Sequence, residues 1–449
     1  MRWTNLAAGH LALAVVLHPA CTPDIATDPL PDVAEFDTAV SPPRVSEPTI
    51  AIINPTTGLI DLRATGVVVP ADCHTQTVMP EAQCEFDQYL QSLDGFPTTG
   101  AVARTPFSAP LDPLTTTVPT NVAVVQVQGG VPAPVTDATL KFDEVNRYLE
   151  VHPKADSWPS GALVWIGVRG YANGVKTTTG NEVVASVPYN LLKRDFAPGD
   201  SLLCGQTAAT VDGTCRFFAL LSQQMSADAA RASLGQLESL RLAMTGYHGW
   251  DLVAGFGIPK AETVVLWGFP THSGPVIELN PPVQVPAVAG DQIQLAVNGA
   301  VDPATVIAFQ PTVQAGSVYL MNLTALATGN LRDGFPVMTA TFASGIITLK
   351  AAAPLTPGGL YAVIVSNQVK GPTGKAMVAP PVSVFLKARG PLSVAGKSQV
   401  STVGDANALA LEAGRSQLSA LLDNAMLGLL TGLNRDNIAY LYAFAVGAP

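Results

Sequence analysis

At 449 residues the chain is long enough for two or three domains, each able to bury its own core. Charged residues make up 13% against 48% hydrophobic ones, and the formal net charge is −10 with no Lys/Arg cluster. Nucleic-acid binding is therefore not expected, because phosphate contacts need a concentrated basic face. The 39 Gly and 37 Pro follow no period, and among so much Val, Thr and Ala they indicate short strands and many turns.

Residues 6–20, LAAGHLALAVVLHPA, are mostly apolar, follow Arg2, and match the h-region of a secretory signal. The run is shorter than the roughly 18 apolar residues of a membrane-spanning helix. Cys21 comes directly after Ala20, where the lipid-modified Cys of a bacterial lipoprotein signal would stand, although His18 and Pro19 depart from the usual residues there. The expectation is a signal peptide over 1–21 with acylation of Cys21; simple cleavage and secretion is the alternative. Residues 22–47 carry five Pro and a surplus of acidic residues, and read as a disordered tether.

From residue 48 onward, apolar runs separated by turn residues dominate. NVAVVQV (121–127), RYLEVHP (147–153), ALVWIGVRG (162–170) and EVVASVPY (182–189) read as strands. SADAARASLGQLESLRLAM then reads as an amphipathic helix, with Ser226 as N-cap and Leu234, Leu237, Leu240 and Met244 on one stripe. The second half follows the same order. SVYLMNL (317–323), GIITLKA (345–351), GLYAVIVSN (359–367) and VSVFLKA (382–388) read as strands, and a helix near 405–430 carries Leu418, Leu421, Leu422, Ala425 and Leu429.

The two halves also match locally. GIPKAETVVLWGF (257–269) aligns with GLNRDNIAYLYAF (432–444), APLDP (109–113) with GAVDP (299–303), and WPSGALVWIGV (158–168) with TPGGLYAVIV (356–365). Two modules of one design are expected, over 48–271 and 288–449, joined by a Pro-rich linker at 272–287. Strand-rich modules with frequent turns and no βαβ alternation favour a mainly β fold of two tandem Ig-like β-sandwiches. Each module adds a helix and a closing strand, which are expected to cover one sheet edge. Leu266 and Leu441 should face one side of their strands, and Trp267 and Tyr442 the other.

Cys73 with Cys84 and Cys204 with Cys215 are the economical pairs in an oxidising compartment, each closing a loop of roughly a dozen residues. No Cys-x-x-Cys occurs, so zinc is not the preferred reading of these cysteines. No metal or other cofactor is expected.

SLDGFPTTGAVARTPFSAPLDP (92–113), followed by the strand pattern, the helix and GIPKAETVVLWGF, resembles the non-catalytic N-terminal region of bacterial surface lipases of the virulence-factor type. The repeated modules resemble bacterial Ig-like domains of S-layer and surface proteins. The resemblance implies an α/β-hydrolase domain beyond the Ig-like region, yet the sequence runs only to AFAVGAP and contains no Gly-x-Ser-x-Gly elbow. No catalytic residue can be carried over from that family.

Other candidates weigh toward structure. His74, His152, His248 and His272 read as solvated loop or strand-end residues rather than catalytic ones. Trp158, Trp165, Trp250 and Trp267 read as core rather than as a carbohydrate platform. Asp112 and Asp302 read as turn residues rather than calcium ligands. The functional expectation is an exported, lipid-anchored binding or structural protein without catalytic activity in the bacterial cell envelope, at the outer membrane or extracellular surface. Its partners would be the membrane, through the N-terminal lipid, and a surface protein or glycan. A diverged esterase or glycan-acting hydrolase, with a site between the modules, is the alternative.

Overall fold

The apolar runs settle as antiparallel strands because each has one face to bury and a Gly- or Pro-containing reversal at its end. In the computed structural model the described residues are 31–36, 44–54, 56–65, 67–197, 200–223, 225–277, 292–423 and 425–446. The strands of the first sandwich's two main sheets are β1 (Ala103–Pro106), β2 (Val122–Gln128), β3 (Val131–Pro134), β4 (Thr139–Asp143), β5 (Tyr148–His152), β6 (Ala162–Arg169) and β7 (Thr263–Pro270). Those of the second half are β8 (Val276–Ile277), β9 (Ile293–Asn298), β10 (Val318–Asn322), β11 (Met338–Ala343), β12 (Ile346–Ala351), β13 (Leu360–Ser366) and β14 (Ile438–Ala445). The helices used below are α1 (Glu81–Gln91), α2 (Val187–Leu192), α3 (Ala227–Gly246), α4 (Gly249–Gly255), α5 (Pro381–Leu386) and α6 (Asp405–Leu422).

Each half is a two-sheet sandwich. Sheets β1-β5-β4 and β3-β2-β6-β7 form the first, and β8-β9-β12-β11 and β10-β13-β14 the second. The halves repeat down to register. Ile166 pairs with Trp267 on β6 and β7, and Val363 with Tyr442 on β13 and β14, and both pairings carry an irregularity at the same place, after Val168 and after Val365. The Asp-Pro-x-Thr turns also superpose in their bonding. The Asp112 and Asp302 main-chain N–H groups donate to Lys176 O and Lys370 O at 2.8 Å each. Their carboxylates accept from Leu114 N at 2.9 Å and Ala304 N at 3.0 Å, which makes both turn-forming residues.

Alternation places successive side chains of the closing strands on opposite faces. Trp165 lies over Gly268 and reaches Gly249 of α4, on the helix side, while Phe269 meets Trp158 inside the sandwich at 5.5 Å. In the second half Leu441 joins Tyr319, Met321, Ile364 and Leu418 of α6, whereas Tyr440 and Phe444 join Leu295, Ile347 and Leu349 between the sheets. Trp267 is buried but Tyr442 is 38% exposed. The helices thus lie on the outer face of one sheet, not along its edge. That sheet carries apolar residues on both faces, so one face must be covered by something other than the facing sheet.

Ser226 caps α3, its side chain accepting from Ala229 N at 3.3 Å, and Leu234, Leu237, Leu240 and Met244 are buried. Ser226→Ala is expected to cost about 1 kcal/mol in a urea titration, from the orphaned first-turn amide. In the second half Leu418 is buried, Leu421 and Leu422 are half-buried, and Leu429 is 73% exposed. The leucine stripe ends with α6 at Leu422, because the chain breaks its helical course there.

Several local readings change. Only Val183–Ala185 of EVVASVPY is strand, and Val187–Tyr189 enter α2 behind the cap Ser186, with Pro188 in the first turn. VSVFLKA is not a strand but mostly α5, introduced by Pro380 and Pro381. Part of the expected tether belongs to the first sandwich. Asp32–Ala34 pairs in parallel with Val183–Ala185, and Glu47 exchanges main-chain hydrogen bonds with Arg104, since Val33 and Ala34 supply apolar surface the sheet can bury. Residues 272–277 of the expected linker are likewise ordered: Val276 and Ile277 form β8, beside Asn298 and Val297. Cys21, the signal and the remaining tether lie outside the described residues. Among the described residues, no helix is long and apolar enough to cross a membrane.

Candidate functional site

Between β7 of the first half and the helices of the second, residues 48–96 form a clasp. Its helix α1 starts at Pro80 with Glu81 in the first turn, where a carboxylate complements the helix dipole. Helix α1 buries Ala82 and Phe86 on the face toward α5, where Phe86 packs on Phe385 at 4.9 Å, and Cys84 on another side. Tyr89 donates its hydroxyl to Ala379 O at 2.6 Å, and Gln83 accepts from Ser401 N at 2.7 Å. Gly390 passes so close that a Cβ there would stand 2.7 Å from Glu81 Cβ. Cys73 is bonded to Cys84, which ties the loop before α1 to its first turn. Cys204 is bonded to Cys215 in the first half, far from this region in sequence.

After α1 the distinctive Asp-Gly-Phe segment turns back to the first sandwich. Phe96 N donates to Pro270 O at 2.8 Å and His272 N to Phe96 O at 3.0 Å, so the segment continues the edge of β7. Asp94 accepts from Ser273 N at 3.0 Å and Ser273 Oγ at 2.5 Å, and Lys375 of the second half pairs with it at 3.2 Å. Burial opposes ionisation of Asp94, but the Ser273 hydrogen bonds and the Lys375 ammonium hold its carboxyl below the usual range. One short motif thus touches both halves.

The clasp and the second sandwich enclose two adjoining hollows of about 280 and 450 Å³, which share Tyr89, Ser92, Lys387 and Asp436. Lys387 follows α5, and its Nζ donates to Ile438 O at 2.6 Å, as Lys193 after α2 donates to Thr263 O at 3.0 Å. Burial pushes the Lys387 ammonium down to about 8, against the pull of Asp436 and Glu85. Burial pushes the Glu85 carboxyl up, and Glu81 adds to this, against the Arg389 main-chain N–H that it accepts at 2.9 Å. Arg435 caps the end of α5 through Lys387 O at 2.6 Å and forms a two-point pair with Asp423. Arg389 donates to His74 Nε2, and His74 Nδ1 bonds Glu81. The hollow is therefore lined by both signs of charge, with a buried amine at its floor.

The sequence candidates are scattered relative to this cleft. His74 lines it, while His152 bonds Glu150 at 3.0 Å and His248 pairs with Asp251 at 3.4 Å elsewhere. His272 is not a solvated turn residue. It is 1% exposed, and neither ring nitrogen has a hydrogen-bond partner among the described residues. Its burial follows from the approach of Gly95, which has no side chain to hold the clasp away from Thr271 and His272. Trp158, Trp165, Trp250 and Trp267 are all buried, so none offers a stacking face to a sugar. Lys387, Arg389 and Tyr89 were missed; the one sequence signal for them was the match of Lys193 with Lys387 after corresponding short helices.

The fold defines a class, a mainly β chain of tandem Ig-like sandwich repeats. No protein-family model matches the chain, and no curated protein matches it. Among solved structures, the N-terminal part of the bacterial S-layer protein SbsC is 16% identical with a TM-score of 0.17, covering 33% of this chain and 31% of that one. Domains 1–6 of the surface layer protein SbsC are 15% identical with a TM-score of 0.18, covering 36% of this chain and 20% of that one. The chain spans a third or less of those proteins' length, and at these scores the likeness carries no argument.

Proposed function

We propose that the chain is an exported, lipid-anchored cell-surface protein with a structural or binding role and without catalytic activity. The observation that carries this reading is the repeat. The two sandwiches share the strand orders β2-β6-β7 with β10-β13-β14 and β1-β5-β4 with β9-β12-β11, each adding one strand of its own, and a disulfide-tied clasp from the first is bonded into the second through Tyr89, Gln83 and Asp94. Such a body resists bending between its modules and suits a spacer or docking platform at a surface. Two local disulfides agree with an oxidising compartment. The hydrolase alternative needs a base oriented toward a nucleophile. The described partners of the His rings are carboxylates and Arg389, with none for His272.

The anchor is tested in the native host by mass spectrometry of the mature N-terminus. Acylated Cys21 as the first residue is expected, and Cys21→Ser should release the protein from the membrane fraction. Cleavage elsewhere with soluble wild-type protein would remove the lipid from this proposal. Protease accessibility on intact cells tests surface exposure separately, and a surface protein or glycan is the partner to seek with the purified chain.

A further inference from the structure

We propose that His74, Glu81 and Glu85 form a binding site for one divalent transition-metal ion of the zinc class, at the rim of the cleft between clasp and second sandwich. A ring nitrogen of His74 and a carboxylate oxygen from each Glu lie within 4.8 Å of one another. Glu81 and Glu85 stand one turn apart on α1, so their carboxylates share a face and repel unless a cation lies between them. His74 is brought to that face by covalent chemistry. Cys73 precedes it, Cys84 precedes Glu85, and their bond holds the two backbones 5.5 Å apart at Cα. Asp72 steadies the loop by accepting from His74 N at 2.9 Å.

One imidazole and two carboxylates suit a borderline ion that keeps an open coordination position. They are too few for calcium, which takes six or more oxygens. The adjoining hollow, of about 450 Å³ and lined by His74 and Glu85, has room for water to complete the coordination shell.

Arg389 makes the site conditional. Its guanidinium donates to Nε2 of His74 while Nδ1 bonds Glu81. If Nδ1 ligates a metal, the ring proton of neutral His74 moves to Nε2, which then donates and cannot accept from Arg389. Metal binding and the Arg389 contact therefore exclude one another, and the metal competes with a contact between clasp and second sandwich.

The test uses the tag-free full chain, stripped with chelator and titrated with zinc chloride against a chromophoric competitor. One equivalent of zinc is expected to bind. His74→Gln and Glu85→Gln should each weaken it at least tenfold, and Arg389→Ala should tighten it several-fold. Non-reducing peptide mapping of each variant, showing both disulfides intact, separates a lost ligand from a lost fold. X-ray absorption of the zinc-loaded wild type should show one imidazole nitrogen among oxygens. No saturable binding, or one equivalent retained unchanged in His74→Gln, overturns the site. An unchanged affinity in Arg389→Ala overturns the competition.

Discussion

Replacing Gly95 with Ala is expected to destabilise the protein by about 3 kcal/mol, at the upper end of the range for overpacking. A Cβ on Gly95 would stand 2.4 Å from the carbonyl carbon of Thr271 and 2.7 Å from His272 N. Those atoms are main chain and cannot rotate away, so the strand edge and the clasp must separate. The hydrogen bonds from Phe96 N to Pro270 O and from His272 N to Phe96 O would be strained together. Urea titration should show a lowered midpoint, and limited proteolysis should cut within residues 48–96 first. Gly100→Ala is the control. Gly100 is exposed with φ at +69° and open space around its Cβ position, so only a conformational cost of about 1 kcal/mol is expected. Equal effects of the two substitutions would refute the close approach as the cause.

Stability is also expected to fall steeply in mild acid because of His272. Burial pushes its imidazole down from 6.5 to about 4, against the opposite pull of the Asp94 carboxylate. The unfolded chain binds a proton on this ring near pH 6.5, whereas the folded chain resists it until about 4. The contribution is therefore complete above pH 6.5 and is lost as the pH falls toward 4, by about 3 kcal/mol in all. The charged groups facing the ring side of the clasp are Asp94 and its partner Lys375, and Asp94 stays ionised through this window because its own carboxyl is held low. His272→Gln keeps a neutral polar side chain that does not titrate. The difference in unfolding free energy between pH 7 and pH 4 should therefore shrink by about that amount in the variant. An unchanged pH dependence in His272→Gln would show that other groups carry the acid sensitivity.

Much of the fold was legible because its signals are local. Strand runs with period two, the Ser226 cap with its leucine stripe, and the matched segments 257–269 and 432–444 each needed only neighbouring residues. The repeat was legible even in its turn chemistry, since Asp112 and Asp302 make the same bonds two residues onward. VSVFLKA failed as a strand because a short apolar run fits a buried helix equally well, and the Phe86 contact decided for α5. Helix α1 was missed although Ala82, Phe86, Tyr89 and Leu90 keep helical spacing, because EAQCEFDQYLQ is short and draws its support from a disulfide and a facing helix.

What the sequence by itself determined was the module, in two copies, strand-rich and turn-punctuated, and in the first copy two cysteine pairs eleven residues apart. Each of those features rests on spacing along the chain, which is preserved on folding. What only the tertiary structure decided was the joint. His74 and Arg389, 315 residues apart, meet at the cleft rim, and His272 loses its water because Gly95 lets a distant segment close over it. Such contacts depend on how two independently buried faces dock, and a residue's chemistry there is set by neighbours that chain position does not reveal.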